Sequence, residues 1–212
     1  MEAALHLLTE GLLNVPDVGC INVKQARAFL WNAAWLPECG NKGREEECAA
    51  AEYRQVQQTS KSIEVDSFHL AIIGAGGTGK TAVLKLTEAL ITYFAGVDTV
   101  KKLAPSNAAA RALGGDTIHD FCKLPFDNAQ LTSKTGRLTN FKLCPHRRTC
   151  RTTIAVLMDE VSMLPVDQFH HCDVRMRQAK QNPERQFGGL ALNICGDFLN
   201  KQIYKIWKSI KK

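Results

Sequence analysis

The chain has 212 residues, 45% of them apolar and 23% charged, with a formal net charge of +6. That length can bury a sizeable core and the composition fits a soluble globular protein. No apolar run approaches the ~20 residues needed to cross a bilayer, and the opening Met1-Glu2-Ala3-Ala4-Leu5 lacks the basic start of a secretory signal. No membrane partner and an intracellular location are therefore expected.

The charge is unevenly spread. Five lysines fall in residues 201–212, and without them the chain holds 22 basic against 21 acidic residues. A second basic stretch runs from Asn128 to Met158, with Lys134, Arg137, Lys142, Arg147, Arg148 and Arg151 and no acid. It reads either as a phosphate contact or as a solvated loop. The eight cysteines form no CxxC pair. Cys144, His146 and Cys150 offer three ligands at loose spacing, where a structural zinc site wants four. Scattered reduced thiols are the plainer reading.

In chain order, residues 1–36 read as helical. Leu5, Leu8 and Leu12 recur at helical spacing until Gly11 and Pro16 interrupt, and a second helix spans Val23 to Trp35 before Pro37. Residues 37–62 turn polar and read as an insertion or partly helical linker. From residue 67 the pattern becomes α/β. Phe68–Ile73 is short and apolar, as a buried parallel strand should be. A helix is expected over Thr81–Phe94 and a strand over Val97–Ala104. Ser106 suits the cap of a helix through Arg111 and Leu113. Residues 122–152 look loop-rich. Ile154–Met158 is a further strand, Pro165 opens a helix reaching about Lys180, and Leu190–Cys195 is the last strand. Alternating strands and helices predict a parallel sheet with ligands at the carboxyl ends of its strands.

The chemistry begins at Gly74-Ala75-Gly76-Gly77-Thr78-Gly79-Lys80-Thr81, a GxxxxGK[ST] match between an apolar strand and a helix. Its glycines let backbone N–H groups converge on phosphate oxygens at a helix N-terminus. Lys80 supplies a charge to the β- and γ-phosphates, and Thr81 a hydroxyl ligand for Mg²⁺. The run Val156-Leu-Met-Asp159-Glu160 delivers carboxylates to the same sheet edge. Asp159 suits the metal, and Glu160 the attacking water. ATP and Mg²⁺ are the expected cofactors, and the fold class is an α/β P-loop NTPase. Lys80, Asp159 and Glu160 are the candidate catalytic residues.

Four further segments sharpen this reading. Residues 104–121, from Ala104-Pro-Ser-Asn through Thr117-Ile-His119-Asp-Phe121, resemble the APTxxAAxxLxGxTIHxxF stretch of superfamily-one DNA helicases. Met158-Asp-Glu-Val-Ser-Met-Leu-Pro165 resembles the petite-integration-frequency (PIF-type) family, related to the RecD-like group. Phe187-Gly-Gly-Leu-Ala-Leu-Asn-Ile-Cys-Gly-Asp197-Phe is similar to that family's third motif. Asn22-Val-Lys-Gln25-Ala-Arg-Ala-Phe29 resembles its adenine-reading glutamine motif, about fifty residues before the loop, with the 37–62 insertion between them.

The resemblance implies a RecA-like ATP-binding domain over 67–199. A helical N-terminal segment (1–66) precedes it and an atypical basic tail (200–212) follows. It implies an ATP-dependent DNA helicase acting on single-stranded DNA, with Gln25 at the base. Pro105, Ser106 and Asn107 would meet the strand, and Thr117, His119 and Phe121 would lie along it, the last two stacking or packing. By family it implies DNA repair, recombination and telomere maintenance, in nucleus or mitochondrion. Asn200 stands where the family places a γ-phosphate-sensing glutamine, and no Leu-Pro-Pro follows. The second RecA-like domain and its arginines are expected to be missing from this chain. The alternative is a catalytically impaired nucleotide-binding fragment. A small P-loop phosphotransferase would leave the Thr-Ile-His segment unexplained.

Overall fold

The computed structural model describes residues 25–34, 68–125 and 137–197. The leucine-spaced first helix, the 37–62 insertion, Asn200 and the basic tail lie outside the described residues. Residues 25–34 are helical (α1). Five strands follow: β1 His69–Ile73, β2 Val100–Ala104, β3 Asp116–Thr117, β4 Ala155–Met158 and β5 Ala191–Gly196. Between them run α2 Lys80–Ala95, α3 Asn107–Leu113, α4 Ile118–Phe121, α5 Asn140–Cys150 and α6 Val166–Lys180.

All five strands are parallel, in the order β1-β5-β4-β2-β3. The two strands buried along their whole length, β4 and β5, stand centrally. Their near-continuous apolar sequences follow from that, because helices cover both faces of a parallel sheet. Side chains alternate between the faces with period two. Val156, Met158, Leu192 and Ile194 pack against Phe169, Cys172 and Met176 of α6. Ala155 and Ala191 face the other way, onto Leu86, Leu90 and Ile91 of α2 and Phe29 and Ala33 of α1. Leu157 and Cys195 share that second face with Leu84 and Leu113. This is the RecA-like α/β architecture expected.

Two expectations are corrected. Strand β2 begins at Val100 rather than Val97, because Gly96 (φ 90°) ends α2 and throws Val97 into an exposed turn. The region expected to be loop-rich holds α5, despite Pro145 inside it. Proline removes a backbone donor and weakens a helix interior. Here burial of Leu143, His146 and Cys150 overrides that cost. The Gln178 amide of α6 adds to it, bonding both Leu138 N (2.8 Å) and Leu138 O (2.9 Å) to dock the segment leading into α5.

Among the described residues no helix is long and apolar enough to cross a membrane.

Candidate nucleotide site

Strand β1 ends at Ile73 and the chain turns at once into the glycine loop, where Gly77 (φ 72°) and Gly79 (φ 79°) take left-handed conformations that disfavour a Cβ. A Cβ on Gly74 would come within 2.8 Å of the Thr78 hydroxyl, which itself donates to Ala75 O at 2.8 Å. The loop is thus a tight, internally bonded turn feeding the N-terminus of α2, where the helix dipole favours an anion. Lys80, the first residue of α2, folds back over it and donates to Gly74 O (2.9 Å) and Ala75 O (2.8 Å). An ammonium carries three donors, so these two bonds leave one for a ligand.

The decisive contact crosses 78 residues of sequence: Thr81 Oγ1 donates to Asp159 Oδ2 at 2.6 Å. Thr81 sits in the first turn of α2 and Asp159 just past the end of β4. Asp159 is only 6% exposed. Its backbone N–H bonds Leu103 O (2.9 Å) and its Oδ1 accepts from Glu160 N (2.9 Å). These bonds fix the carboxylate toward the loop. Glu160 is exposed and adopts φ 50°, ψ 34°, a left-handed conformation uncommon for a residue with a side chain. The chain reverses there, so the second carboxylate leaves the strand at the same sheet edge.

Gln25 reaches the loop from α1. Its Nε2 donates to Thr78 O at 2.9 Å, and its amide lies against Gly79. The fifty-residue separation in sequence is therefore closed in space. The β5 strand, between β1 and β4, joins the same edge: Gly74 N bonds Gly196 O (3.2 Å), and the buried Cys195 thiol lies 3.9 Å from Lys80 O. Burial, with Asp159 nearby, pushes the Cys195 thiol well up, so it stays protonated.

The expected strand-contacting residues lie along the carboxyl edge of β2 and β3, where Ala104 pairs with Thr117. Ser106 and Thr117 spend their hydroxyls on helix caps, accepting from Ala109 N (3.2 Å) and Asp120 N (3.1 Å). Asn107 is exposed, and Pro105 and His119 are half-buried. Phe121 is 5% exposed, inside the core, with its ring edge-on to His146 at 5.2 Å. Of the two roles open to it, the structure selects packing, because the ring is enclosed by the core. Cys150 Sγ lies 3.8 Å from His146 Nδ1, whereas Cys144 is exposed. Among the described residues no group of three His, Cys, Asp or Glu is placed to hold a metal ion.

Two buried asparagines at this site, Asn32 and Asn193, were not singled out by motif. The available signal was a polar residue inside the apolar run Leu190-Ala-Leu-Asn-Ile-Cys195.

A family model described as PIF1-like helicase matches residues 49–212. The chain belongs to the PIF1-like helicase family. Its PIF1-like relatives include the ATP-dependent DNA helicase PIF1 of Saccharomyces cerevisiae (strain YJM789), 28% identical over 145 residues, covering 67% of this chain and 16% of that protein. The human ATP-dependent DNA helicase PIF1 is 30% identical over 126 residues, covering 59% of this chain and 18% of that protein. The crystal structure of Pif1 helicase from Candida albicans is 26% identical with a TM-score of 0.48, over 69% of this chain and 31% of that one. A Bacteroides Pif1 structure in complex with ADP-AlF3 and ssDNA is 21% identical with a TM-score of 0.47, over 74% and 36%. The PIF1-like chain thus spans 15% to 18% of the length of the first curated relatives it matches.

Proposed function

We propose that this chain is the ATP-binding first motor domain of a DNA helicase, binding MgATP at the glycine loop and single-stranded DNA along the neighbouring sheet edge. The 2.6 Å hydrogen bond between Thr81 and Asp159 carries the reading. It sets a helix-borne hydroxyl and a strand-borne carboxylate side by side at the mouth of a phosphate loop. Two hard oxygens so placed fit Mg²⁺, which prefers oxygen ligands and keeps several waters. Thr81 and Asp159 would hold that ion. When bound, it neutralises charge on the phosphate oxygens.

The protein's own groups divide the remaining work. Lys80 directs its ammonium at the β- and γ-phosphates, and the loop's backbone N–H groups cradle them. Glu160 orients the attacking water and takes its proton, which requires hydrogen-bond reach of that water. Gln25, hydrogen-bonded to the loop at Thr78 O, is the residue that would meet the base. A transition-state arginine from a second domain is worth about 10³–10⁵ in rate in related NTPases. Translocation needs two domains closing around nucleotide. For this domain alone, binding therefore outruns turnover.

Single-stranded DNA is assigned to the edge holding Pro105, Ser106, Asn107, Thr117 and His119. The Ser106 and Thr117 hydroxyls are committed to caps, so these turns meet the strand chiefly through backbone and Asn107. Exposed Lys142 and Arg148 of α5, and Arg151 just after it, would add phosphate contacts, α5 being joined to that edge by the Phe121–His146 contact. Nuclear or mitochondrial genome maintenance is the corresponding cellular role.

The test joins the chain to a family second domain and measures ATP hydrolysis with and without single-stranded DNA. Stimulation by DNA, abolished by Lys80→Ala, is expected. Turnover that DNA does not raise would overturn the helicase assignment. In the chain by itself, MgATP binding without turnover is the expected result.

A further inference from the structure

Strand β5 turns Ala191, Asn193 and Cys195 toward α1 and α2. Each touches a different part of the nucleotide-site scaffold. Ala191 packs in the cluster with Phe29, Asn193 Nδ2 donates to Asn32 Oδ1 at 2.7 Å, and Cys195 lies at Lys80 O. The middle contact is out of character with its setting. Asn32 and Asn193 are 0% and 1% exposed. Asn32 Nδ2 bonds Ala28 O within its own helix (3.0 Å), and Asn193 Oδ1 has no partner among the described residues.

A buried amide with one unsatisfied oxygen stabilises less than a well-packed apolar pair of the same shape. Such a pair does fix register, because sliding or rotating the helix would leave Asn32 Oδ1 and Asn193 Nδ2 unpaired, as a single buried asparagine fixes the register of a coiled coil. Asn32 lies seven residues, about two helical turns, from Gln25. Gln25 in turn braces the loop through Thr78 O and lies against Gly79. The apolar contacts of Phe29 and Ala33 supply adhesion but tolerate sliding. The asparagine pair removes that tolerance.

We infer that Asn32 and Asn193 are positioning residues, which set the register of α1 so that Gln25 braces the phosphate-binding loop. They touch no phosphate themselves. The inference rests on the nucleotide-binding reading above and deepens it. It makes Gln25 a support of the loop's shape, felt even by a ligand without a base.

The experiment uses the full chain and two probes, MgATP and magnesium tripolyphosphate, with thermal melting in parallel. Wild-type binding of MgATP, and its loss in Lys80→Ala, tests the nucleotide site separately; no wild-type binding would remove both readings together. The variant Asn32→Leu/Asn193→Leu replaces the pair by apolar side chains of similar size. It is expected to melt no lower than wild type, yet to bind both probes about three- to tenfold more weakly, the worth of one bracing hydrogen bond. Adding Gln25→Ala to it should cost nothing further. Unchanged affinity for tripolyphosphate, or full additivity with Gln25→Ala, would overturn the inference. Should the double variant fail to fold, Asn32→Ala is read by the same additivity test.

Discussion

Thr81 Oγ1 and Asp159 Oδ2 lie 2.6 Å apart, closing the gap between the loop helix and the end of β4. If they share a Mg²⁺ ion, each substitution should act on nucleotide affinity only when the ion is present. Thr81→Ala and Asp159→Asn are expected to weaken ATP at least about tenfold with Mg²⁺, and little in EDTA. Thr81→Ser keeps the hydroxyl and should bind like wild type. Titration of a fluorescent ATP analogue with and without the metal checks this.

Lys80 and Glu160 should separate binding from chemistry. Lys80→Ala removes a charge aimed at phosphate and should weaken ATP at least about tenfold, since charge-assisted hydrogen bonds are the strong ones. Glu160→Gln should leave affinity within about twofold and slow hydrolysis by about 10²–10⁴ in a chain carrying the second domain, the usual worth of a general base. Single-turnover kinetics beside equilibrium titration distinguish the two. Unchanged affinity in the Lys80 variant would contradict the site.

The exposed cations of α5, and Arg151 just after it, should appear in the salt dependence of DNA binding. A Lys142→Ala/Arg148→Ala/Arg151→Ala variant should lower the slope of log K against log salt by about 0.7 for each phosphate of a single strand that these side chains neutralise. Ser106→Ala should behave differently. Its hydroxyl caps α3, so the variant should lose about 0.5–2 kcal/mol of stability before it loses DNA. An unchanged salt slope in the triple variant would make α5 a solvated face.

His146 gives the fold an acid-sensitive point. Burial, with Lys123 and Arg175 nearby, pushes its pKa down to about 4 from 6.5. The unfolded chain therefore takes the proton first. The neutral histidine's contribution is intact above about pH 6.5 and falls away as pH drops through about 4, by roughly 3 kcal/mol in all. His146→Leu should flatten the decline in melting temperature across that window relative to wild type. Parallel declines would mean that carboxylates dominate it.

How far the sequence could be read depended on how local each feature is. The loop from Gly74 to Thr81 announces itself because its glycines, lysine and threonine are contiguous and the flanking periodicities are sharp. Asp159 and Glu160 were legible for the same reason, at the end of an apolar run. Helix α5 was not, since Pro145 and its many polar residues argue against a helix and only burial against α6 and Phe121 forms one. Val97 read as strand on its side chain, but the turn after Gly96 exposes it.

The sequence by itself determined the order of the elements, the glycine loop and the Asp159 carboxylate that meets Thr81. Each is written in neighbouring residues whose backbone geometry and hydropathy period act over a few positions. Only the tertiary structure decided that Gln25 crosses 53 residues to brace Thr78, that Asn32 pairs with Asn193, and that Phe121 is core. Those outcomes depend on which distant side chains surround a residue once the sheet has formed, and a linear sequence does not carry that proximity.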